Sequence, residues 1–392
     1  MAPAPPPDSP RCQDDAIVGP VGEHAVVSRL QSLAYERMIP LNVSLELTLK
    51  CNIRCLHCYN FDRDTEGPAC GPGGATEAPE LSREEILRVM GELRAAGTLF
   101  LSLTGGEVLS SPHLFPVLDR ARALNLAVQM LTNGTLLRPG VAARLAAYRN
   151  LLGVSISLYG ATPEVHDAVT QIRGSWRRTL DGAERLRAQG VAVRLKLIAM
   201  RPNAHEVGAM RALCEARGFP YLVDLTVTAR HDGTQGSLAM RISEDELGAL
   251  YRGPLRDLIP DGRRTVDEAA FPCNCARGNC AISARGDVFP CVSVPWAAGN
   301  VREQPFGEIW RRSPVFERIR GLKMADYAAC APCPDKAFCS RDRGAAYNAS
   351  GSYTGTDSFV CAAAGVARAV SEEGDGARAE LDVRLPLAVA AR

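Results

Sequence analysis

Six short apolar strands alternate with helical segments between residues 41 and 228, and this repetition limits the fold more than any other feature. The strands begin near residues 41, 99, 126, 152, 191 and 221. Apolar residues at helical spacing follow each strand, and strands that alternate with helices form a parallel sheet. Six units are too few for a complete barrel of eight. The sequence therefore predicts an α/β fold whose core is a partial (β/α)6 TIM-like barrel.

The carboxyl ends of these strands carry thiol and polar side chains. In a barrel of this kind, the active residues lie at those ends of the strands. The candidates, in strand order, are Cys51–Cys58, Thr104–Glu107, Thr132–Asn133, Ser155 with Ser157, and Arg194 with Lys196. We therefore expect one site where these segments meet.

Length, charge and hydropathy exclude several classes of protein. The chain has 392 residues, enough for two or three domains. Its 45 basic and 44 acidic side chains leave a net charge of +1, which argues against a nucleic-acid binder or a polybasic membrane anchor. The sequence contains no long apolar run and no secretory signal, so we expect no membrane partner. The expected location is the cytoplasm, where thiols stay reduced.

The pattern of the chain changes near residues 240–265, where strand–helix alternation gives way to short segments between cysteines. We therefore expect four regions. They are a partly disordered N-terminal extension over 1–38, the barrel over 39–250, a small cysteine-rich domain over 265–362, and a C-terminal tail over 363–392 that carries no chemistry and whose SEEGDG stretch we expect to be solvated.

The chain holds fourteen cysteines, and eleven of them fall in two zones, 51–58 and 273–361. Clustered cysteines in a reducing compartment usually bind metal. Cys12 and Cys70 lie in segments that we expect to be flexible, and Cys214 is expected in a helix, where a buried thiol is ordinary core.

The first zone, CNIRCLHCYN, places three cysteines in one short loop: Cys51, Cys55 and Cys58. Thiolates are soft ligands that suit zinc and iron–sulfur clusters. This spacing lets the loop bind three corners of a 4Fe–4S cube and leaves the fourth iron without a protein ligand. A metal with an open position can bind a substrate. The alternatives are a zinc site completed by His57 and a buried thiol cluster without metal.

This stretch resembles the CX3CXΦC signature of the radical S-adenosylmethionine (radical SAM) superfamily, with His57 in the Φ position. The resemblance implies that the open iron chelates the amino and carboxylate groups of SAM. One electron from the reduced cluster then cleaves SAM to methionine and a 5′-deoxyadenosyl radical, which takes a hydrogen atom from a substrate.

The same resemblance implies further SAM-binding residues beside His57. TGGE resembles the family's GGE motif, so Gly105, Gly106 and Glu107 are expected at the methionine amino group. LTNGTLL resembles the third-strand segment and points to Asn133. The alternatives are an ordinary tight turn for GGE and a turn-forming role for Asn133.

Two later strands complete the implied SAM site. Ser155 and Ser157 resemble the position that contacts the ribose, and Arg194 and Lys196 lie on the strand near the SAM carboxylate and ribose. One serine could instead be a hydroxyl on the sheet face. The two cations could instead form a solvated edge.

The second zone resembles the SPASM domain, an extension of radical SAM enzymes that carries auxiliary 4Fe–4S clusters. Gly286-x4-Cys291 matches its GX4C element, and its CX2CX5C element starts at Cys330. The implied ligands are Cys273, Cys275, Cys280 and Cys291 for the first auxiliary cluster, and Cys330, Cys333, Cys339 and Cys361 for the second. The chain departs from the pattern at Arg343, where the family has a further cysteine. With SAM, three 4Fe–4S clusters are thus the expected cofactors; a pair of zinc sites is the alternative.

SPASM enzymes mostly modify ribosomally made peptides, so the resemblance implies a peptide maturase that forms a crosslink, epimerises or oxidises. Val292 follows the GX4C cysteine, where sulfatase-maturating relatives carry an acidic residue, so that activity is not expected. Tetrapyrrole side-chain modification of a haem precursor is the alternative reaction. An iron–sulfur electron carrier or a zinc scaffold is the alternative outside enzymes.

The expected partners follow from this function. They are a peptide or small-molecule substrate and an electron donor such as a flavodoxin or ferredoxin. Only about forty residues precede the first barrel strand. We therefore expect any leader peptide to be bound by a separate small protein or by the barrel itself.

Overall fold

A computed structural model of the protein describes residues 21–60, 79–259 and 273–374. Four features of the sequence analysis lie outside these residues. They are the N-terminal segment expected to be disordered, most of the flexible stretch after the cysteine loop, Cys12 with Cys70, and the tail beyond residue 374. Part of the expected domain boundary, residues 260–265, is also outside them.

The six strands of the alternation form one parallel sheet in the order β6-β5-β4-β3-β2-β1. They are β1 (Asn42–Glu46), β2 (Phe100–Thr104), β3 (Ala127–Thr132), β4 (Leu151–Leu158), β5 (Val193–Ile198) and β6 (Tyr221–Asp224). The predicted partial barrel is confirmed. The sixth strand is shorter than its apolar run predicts, because the Asp224 carboxylate accepts a hydrogen bond from the Thr226 N–H at 2.8 Å and turns the chain.

Helices cover the outer face of the sheet. The helices up to residue 216 are α1 (Val21–Arg37), α2 (Arg83–Ala95), α3 (Leu114–Ala123), α4 (Pro139–Ala146), α5 (Pro163–Thr170), α6 (Ser175–Ala188) and α7 (Val207–Ala216). Those that follow are α8 (Glu244–Arg252), α9 (Phe306–Arg312), α10 (Pro314–Gly321), α11 (Arg343–Ser350) and α12 (Ser358–Gly374). The described residues include no helix long and apolar enough to cross a membrane.

A capping box at Ser82 and Glu85 starts helix α2. The Ser82 hydroxyl accepts from the Glu85 N–H at 3.2 Å, and the Glu85 carboxylate accepts from the Ser82 N–H at 2.7 Å. Helix α5 was not anticipated, although Thr162 caps it and Pro163 opens it.

Alternation along β1 separates two environments. Val43, Leu45 and Leu47 are at most 1% exposed and belong to the same core as the apolar face of α2. On the opposite face, Asn42 and Ser44 line an internal cavity. The polar face of the strand therefore points into the barrel rather than into bulk solvent.

The cysteine-rich part of the chain extends the barrel sheet, which the sequence analysis did not anticipate. Strand β7 (Asn279–Ile282) pairs parallel with β1, and β8 (Asp287–Phe289) and β9 (Gly299–Asn300) follow antiparallel. Cys280 thereby lies opposite Val43 in the register. The two regions share one nine-stranded sheet among the described residues.

The start of the C-terminal tail belongs to a packed helix, which no pattern in the sequence predicted. Residues 358–374 form α12, which packs against α8, with Ala367 and Val370 buried. Alanines spaced along this segment suit a helix that packs closely. The expected boundary at residue 362 therefore falls inside a helix, at whose end Glu372 and Glu373 of the SEEGDG stretch are exposed.

The GGE turn holds the cysteine loop against the end of β2. The Gly106 N–H donates to the Thr48 carbonyl at 2.7 Å, and the Glu107 N–H donates to the Lys50 carbonyl at 2.8 Å. Gly105 has φ +134°, which favours glycine, and a Cβ on Gly106 would lie 2.4 Å from the Lys50 oxygen. The glycines are required here because the backbone entering the cysteine loop passes directly over them.

Gly106→Ala should displace the cysteine loop. The new methyl group would meet backbone oxygens of Lys50 and Leu49 at 2.4 and 2.5 Å, and backbone cannot rotate away as a side chain can. We expect a loss of about 1–3 kcal/mol in the free energy of unfolding and poorer iron retention, measured by denaturation and iron analysis. Gly140→Ala in α4 is the matched control, since nothing lies within 4 Å of its Cβ. Equal stability and iron content in both variants would contradict this account.

Candidate active site

A cavity of about 880 Å³ lies in the barrel. The three-cysteine loop, the whole first auxiliary group and one cysteine of the second auxiliary group line it. The lining cysteines are Cys51, Cys55, Cys58, Cys273, Cys275, Cys280, Cys291 and Cys339. This volume lies within the usual range for sites that bind small molecules and cofactors. The first auxiliary group and the SAM-cluster group therefore face the same space.

Backbone hydrogen bonds fix the loop that carries the first three cysteines. The Arg54 N–H donates to the Thr170 carbonyl at 2.9 Å, and the Leu56 N–H donates to the Val169 carbonyl at 3.1 Å. Both acceptors lie at the end of α5. The loop is thus held between this helix and the GGE turn, with its thiols toward the cavity.

Asn133 combines a turn-forming role with a contact to the cysteine loop. Its side-chain oxygen accepts from the Thr135 N–H at 2.9 Å, as in an Asx turn. Its Nδ2 donates to Asn52 Oδ1 at 3.0 Å and lies 3.9 Å from Cys51 Sγ. Asn133 also lines the cavity, beside the thiol that begins the loop.

The Glu107 carboxylate is 1% exposed and is held by three donors. The donors are the Thr132 hydroxyl at 2.6 Å, the Asn133 N–H at 2.8 Å and the Leu109 N–H at 3.0 Å. Burial raises the pKa of Glu107, although these hydrogen bonds oppose the shift. The carboxylate connects the turn after β2 to the end of β3, while Gly105 and Gly106 line the cavity.

His57 lies in an aromatic group at the cavity wall. Its ring centroid is 5.0 Å from that of Tyr159, which in turn lies 5.4 Å from that of His166. Burial lowers the pKa of His57 to about 4, so the imidazole is neutral at neutral pH. Its Nδ1 is buried and, in the described part of the chain, has no hydrogen-bond partner. Tyr159 was missed in the sequence, although it directly follows the fourth strand.

The two serines on β4 differ in exposure. Ser157 lines the cavity. Ser155 is 2% exposed, and its hydroxyl accepts from Gln129 Nε2 and from the Arg194 guanidinium, both at 3.3 Å. The structure thus sets Ser157 on the cavity wall and Ser155 beneath Gln129 and Arg194.

Lys196 forms an ion pair that the sequence did not indicate. Its Nζ lies 2.9 Å from the Asp224 carboxylate, and both side chains line the cavity. Burial alone would raise the pKa of Asp224, but the Lys196 ammonium and hydrogen bonds from Thr226 hold it below its usual value. The pair therefore places a fixed carboxylate and a fixed ammonium in the cavity, close enough to affect the pKa of His57.

Thiol–thiol contacts link Cys275 to two other cysteines of the first auxiliary group. Cys273 Sγ and Cys275 Sγ are 3.0 Å apart. Hydrogen bonds with Cys273 and Cys291, together with burial, raise the pKa of Cys275 well above its usual value. Burial also raises the pKa of Cys280. A soft metal that replaces these thiol protons would relieve the crowding, so the donor set suits an iron–sulfur cluster.

The second auxiliary group gathers thiols from two segments. Burial raises the pKa of Cys361, and the neighbouring thiols Cys339, Cys330 and Cys333 raise it further. Cys361 lies on α12 and is exposed, whereas the other three lie in the turns before α11. Cys330, Cys333 and Cys339 therefore lie close enough to Cys361 to affect its pKa. Four neighbouring thiols are a donor set that suits a second cluster.

Arg343 occupies the cavity wall where the family pattern has a cysteine. It is 5% exposed, its Nε donates to the Arg341 carbonyl at 3.0 Å, and its guanidinium lies 4.9 Å from the centre of the Tyr327 ring. A cationic side chain thus replaces the expected thiolate.

In residues 21–60, 79–259 and 273–374, no three His, Cys, Asp or Glu side chains are grouped closely enough to hold a single metal ion. An iron–sulfur cluster spreads its ligands around four irons rather than around one ion.

Comparisons with known proteins agree with this geometry. Residues 45–212 match the model of the radical SAM superfamily, and residues 273–334 match that of SPASM, an iron–sulfur cluster-binding domain. The AdoMet-dependent heme synthase of Methanosarcina barkeri is 28% identical over 340 residues, which cover 80% of this chain and 94% of that protein. Mycofactocin maturase MftC of Mycobacterium ulcerans is 28% identical over 316 residues, which cover 75% of this chain and 80% of that protein.

A solved structure shows the same fold. Streptococcus suis SuiB bound to its precursor peptide SuiA has a TM-score of 0.61 at 16% identity, covering 90% of this chain and 84% of that chain. Taken with the three-cysteine loop at the carboxyl end of β1, the two matching models show that this chain is an enzyme with a radical SAM domain over residues 45–212 and a SPASM domain that starts at residue 273.

Proposed function

We propose that this enzyme modifies a ribosomally made peptide by radical SAM chemistry, forming a crosslink, epimerising a residue or oxidising a side chain. The observation that carries the proposal is an edge strand on the cavity. In the described part of the chain, β6 pairs only with β5. Residues 222–228 line the same cavity as the three-cysteine loop and the first auxiliary group.

An edge strand with a free side can pair with an extended peptide, as in other proteins that bind peptides by strand addition. Backbone hydrogen bonds would hold such a peptide without regard to its sequence. Alternate side chains would then point into the barrel. A rigid tetrapyrrole ring has no backbone to use this edge, so the edge favours a peptide.

Two relatives support a peptide substrate. SuiB, which shares the fold, was crystallised with its precursor peptide. MftC, which is 28% identical to this chain over 316 residues, is named a maturase. We transfer this substrate class to the present chain.

We assign three 4Fe–4S clusters and SAM as cofactors. The SAM cluster is assigned to Cys51, Cys55 and Cys58. The first auxiliary cluster is assigned to Cys273, Cys275, Cys280 and Cys291, and the second to Cys330, Cys333, Cys339 and Cys361. When bound, the reduced SAM cluster and SAM supply a 5′-deoxyadenosyl radical that abstracts hydrogen.

We assign SAM-binding roles to the remaining predicted residues from their positions around the cavity. Gly105 and Gly106 bring backbone to the cavity, and Glu107 holds the end of β3 in place. Neutral His57 can donate or accept a hydrogen bond through its unpaired Nδ1. Asn133, Ser157 and Lys196 offer polar groups along the same wall.

The partners and location follow from the same chemistry. We infer a flavodoxin or ferredoxin as the electron donor, because the clusters must be reduced. We infer that the leader peptide is bound by the barrel or by a separate small protein. The twelve cysteines among the described residues are free thiols, which suits the reducing cytoplasm.

A second function is favoured by one observation. The alignment with the heme synthase of M. barkeri covers 94% of that protein. Modification of a tetrapyrrole side chain is therefore the alternative, and it would use the same cysteine loop.

A peptide encoded beside the gene should gain a defined mass change when incubated with the reduced enzyme and SAM. Mass spectrometry and 5′-deoxyadenosine release are the measurements. Cys55→Ala should lower both at least a hundredfold, because the SAM cluster loses a ligand. Cys214→Ala, in the buried core, is the matched control and should retain activity. Turnover of a haem precursor, with the peptide unchanged, would replace the proposal with the alternative.

Iron and sulfide analysis tests the number of clusters. Three 4Fe–4S clusters give about twelve irons and twelve sulfides per chain. Cys275→Ala should lose about four irons, one cluster's worth, because Cys275 is in contact with both Cys273 and Cys291. Cys214→Ala should lose none. Zinc without sulfide, or a full iron content in Cys275→Ala, would contradict the assignment.

A further inference from the structure

Two buried tyrosine hydroxyls near the first auxiliary group lack partners. Tyr327 is 0% exposed and Tyr353 is 3% exposed. Among the residues that the structure describes, neither hydroxyl makes a hydrogen bond. Leaving a buried hydroxyl unpaired is unfavourable, and buried tyrosines usually have a partner. Two such groups in one place therefore indicate an acceptor other than the residues that the structure describes.

Their surroundings identify the acceptor. Burial raises the pKa of Tyr353, and the nearby thiols Cys275, Cys273 and Cys291 raise it further. Burial also raises the pKa of Tyr327, and the thiols Cys273, Cys275 and Cys330 raise it further. The same two thiols therefore lie beside both rings.

We propose that the hydroxyls of Tyr327 and Tyr353 donate hydrogen bonds to sulfur atoms of the iron–sulfur cluster bound by Cys273, Cys275, Cys280 and Cys291, and thereby raise its reduction potential. This inference rests on the cluster assignment of the proposed function. Residues 21–60, 79–259 and 273–374 supply no acceptor for these hydroxyls, whereas cluster sulfur is one.

Arg343 acts in the same direction. Its guanidinium lies 4.9 Å from the centre of the Tyr327 ring and holds that ring from one side. A cluster gains a negative charge on reduction, and both hydrogen-bond donors and nearby cations stabilise the reduced form. The two hydroxyls therefore favour the reduced cluster, and Arg343 fixes the position of the ring that carries one of them.

A potentiometric titration followed by electron paramagnetic resonance tests the two hydroxyls. The reconstituted full chain would be compared with Tyr353→Phe and Tyr327→Phe. Each substitution removes one donor and keeps the ring. We expect the midpoint potential of one cluster to fall in each variant and to fall further in the double variant, with the other two potentials unchanged. Tyr148→Phe is the matched control, because Tyr148 is 7% exposed and its hydroxyl donates to Asp119 at 2.9 Å.

Resonance Raman spectra of the wild-type protein give a second measurement that needs no variant. Hydrogen-bonded iron–sulfur vibrations should shift after the protein is refolded and reconstituted in deuterated buffer. Full iron content with unchanged potentials in both Phe variants, or no isotope shift, would overturn the inference alone. If iron analysis of the wild type showed that this cluster is missing, the cluster assignment and the inference would fail together.

Discussion

The contact between the GGE turn and the entry to the cysteine loop is the constraint on which the rest of the site depends. Two backbone hydrogen bonds join Gly106 and Glu107 to the carbonyls of Thr48 and Lys50. Because these two segments of the backbone approach so closely, no side chain fits at Gly106. The Glu107 carboxylate then ties the same turn to the end of β3. One turn thus orders three strand ends around the thiols.

Sheet continuity gives the site its second half. Strand β7 pairs with β1, so Cys280 lies beside the strand that leads into the cysteine loop. Cys273, Cys275 and Cys291 line the same cavity as a result. The barrel and the cysteine-rich region are therefore joined by backbone hydrogen bonds between β1 and β7. The cysteines proposed for the SAM cluster and for the first auxiliary cluster line one cavity.

Local patterns predicted much of this architecture. Strand alternation and cysteine spacing depend on residues close together in sequence, and all six barrel strands are confirmed. The pairing of β7 with β1 joins residues more than 200 positions apart, so no local pattern could reveal it. The ion pair of Lys196 with Asp224 depends on the register between β5 and β6. The helix at the start of the tail was missed because an Ala-rich helix and an irregular Ala- and Gly-rich segment share a composition.

The central claim is that the three-cysteine loop holds a cluster with one iron open to SAM. Electron–nuclear double resonance on the reduced full chain, with SAM carrying ¹⁵N at its methionine amino group, tests it most directly. The account predicts a ¹⁵N coupling to the cluster that is lost in Cys55→Ala. A reduced cluster of full intensity that shows no ¹⁵N coupling at saturating SAM would contradict it.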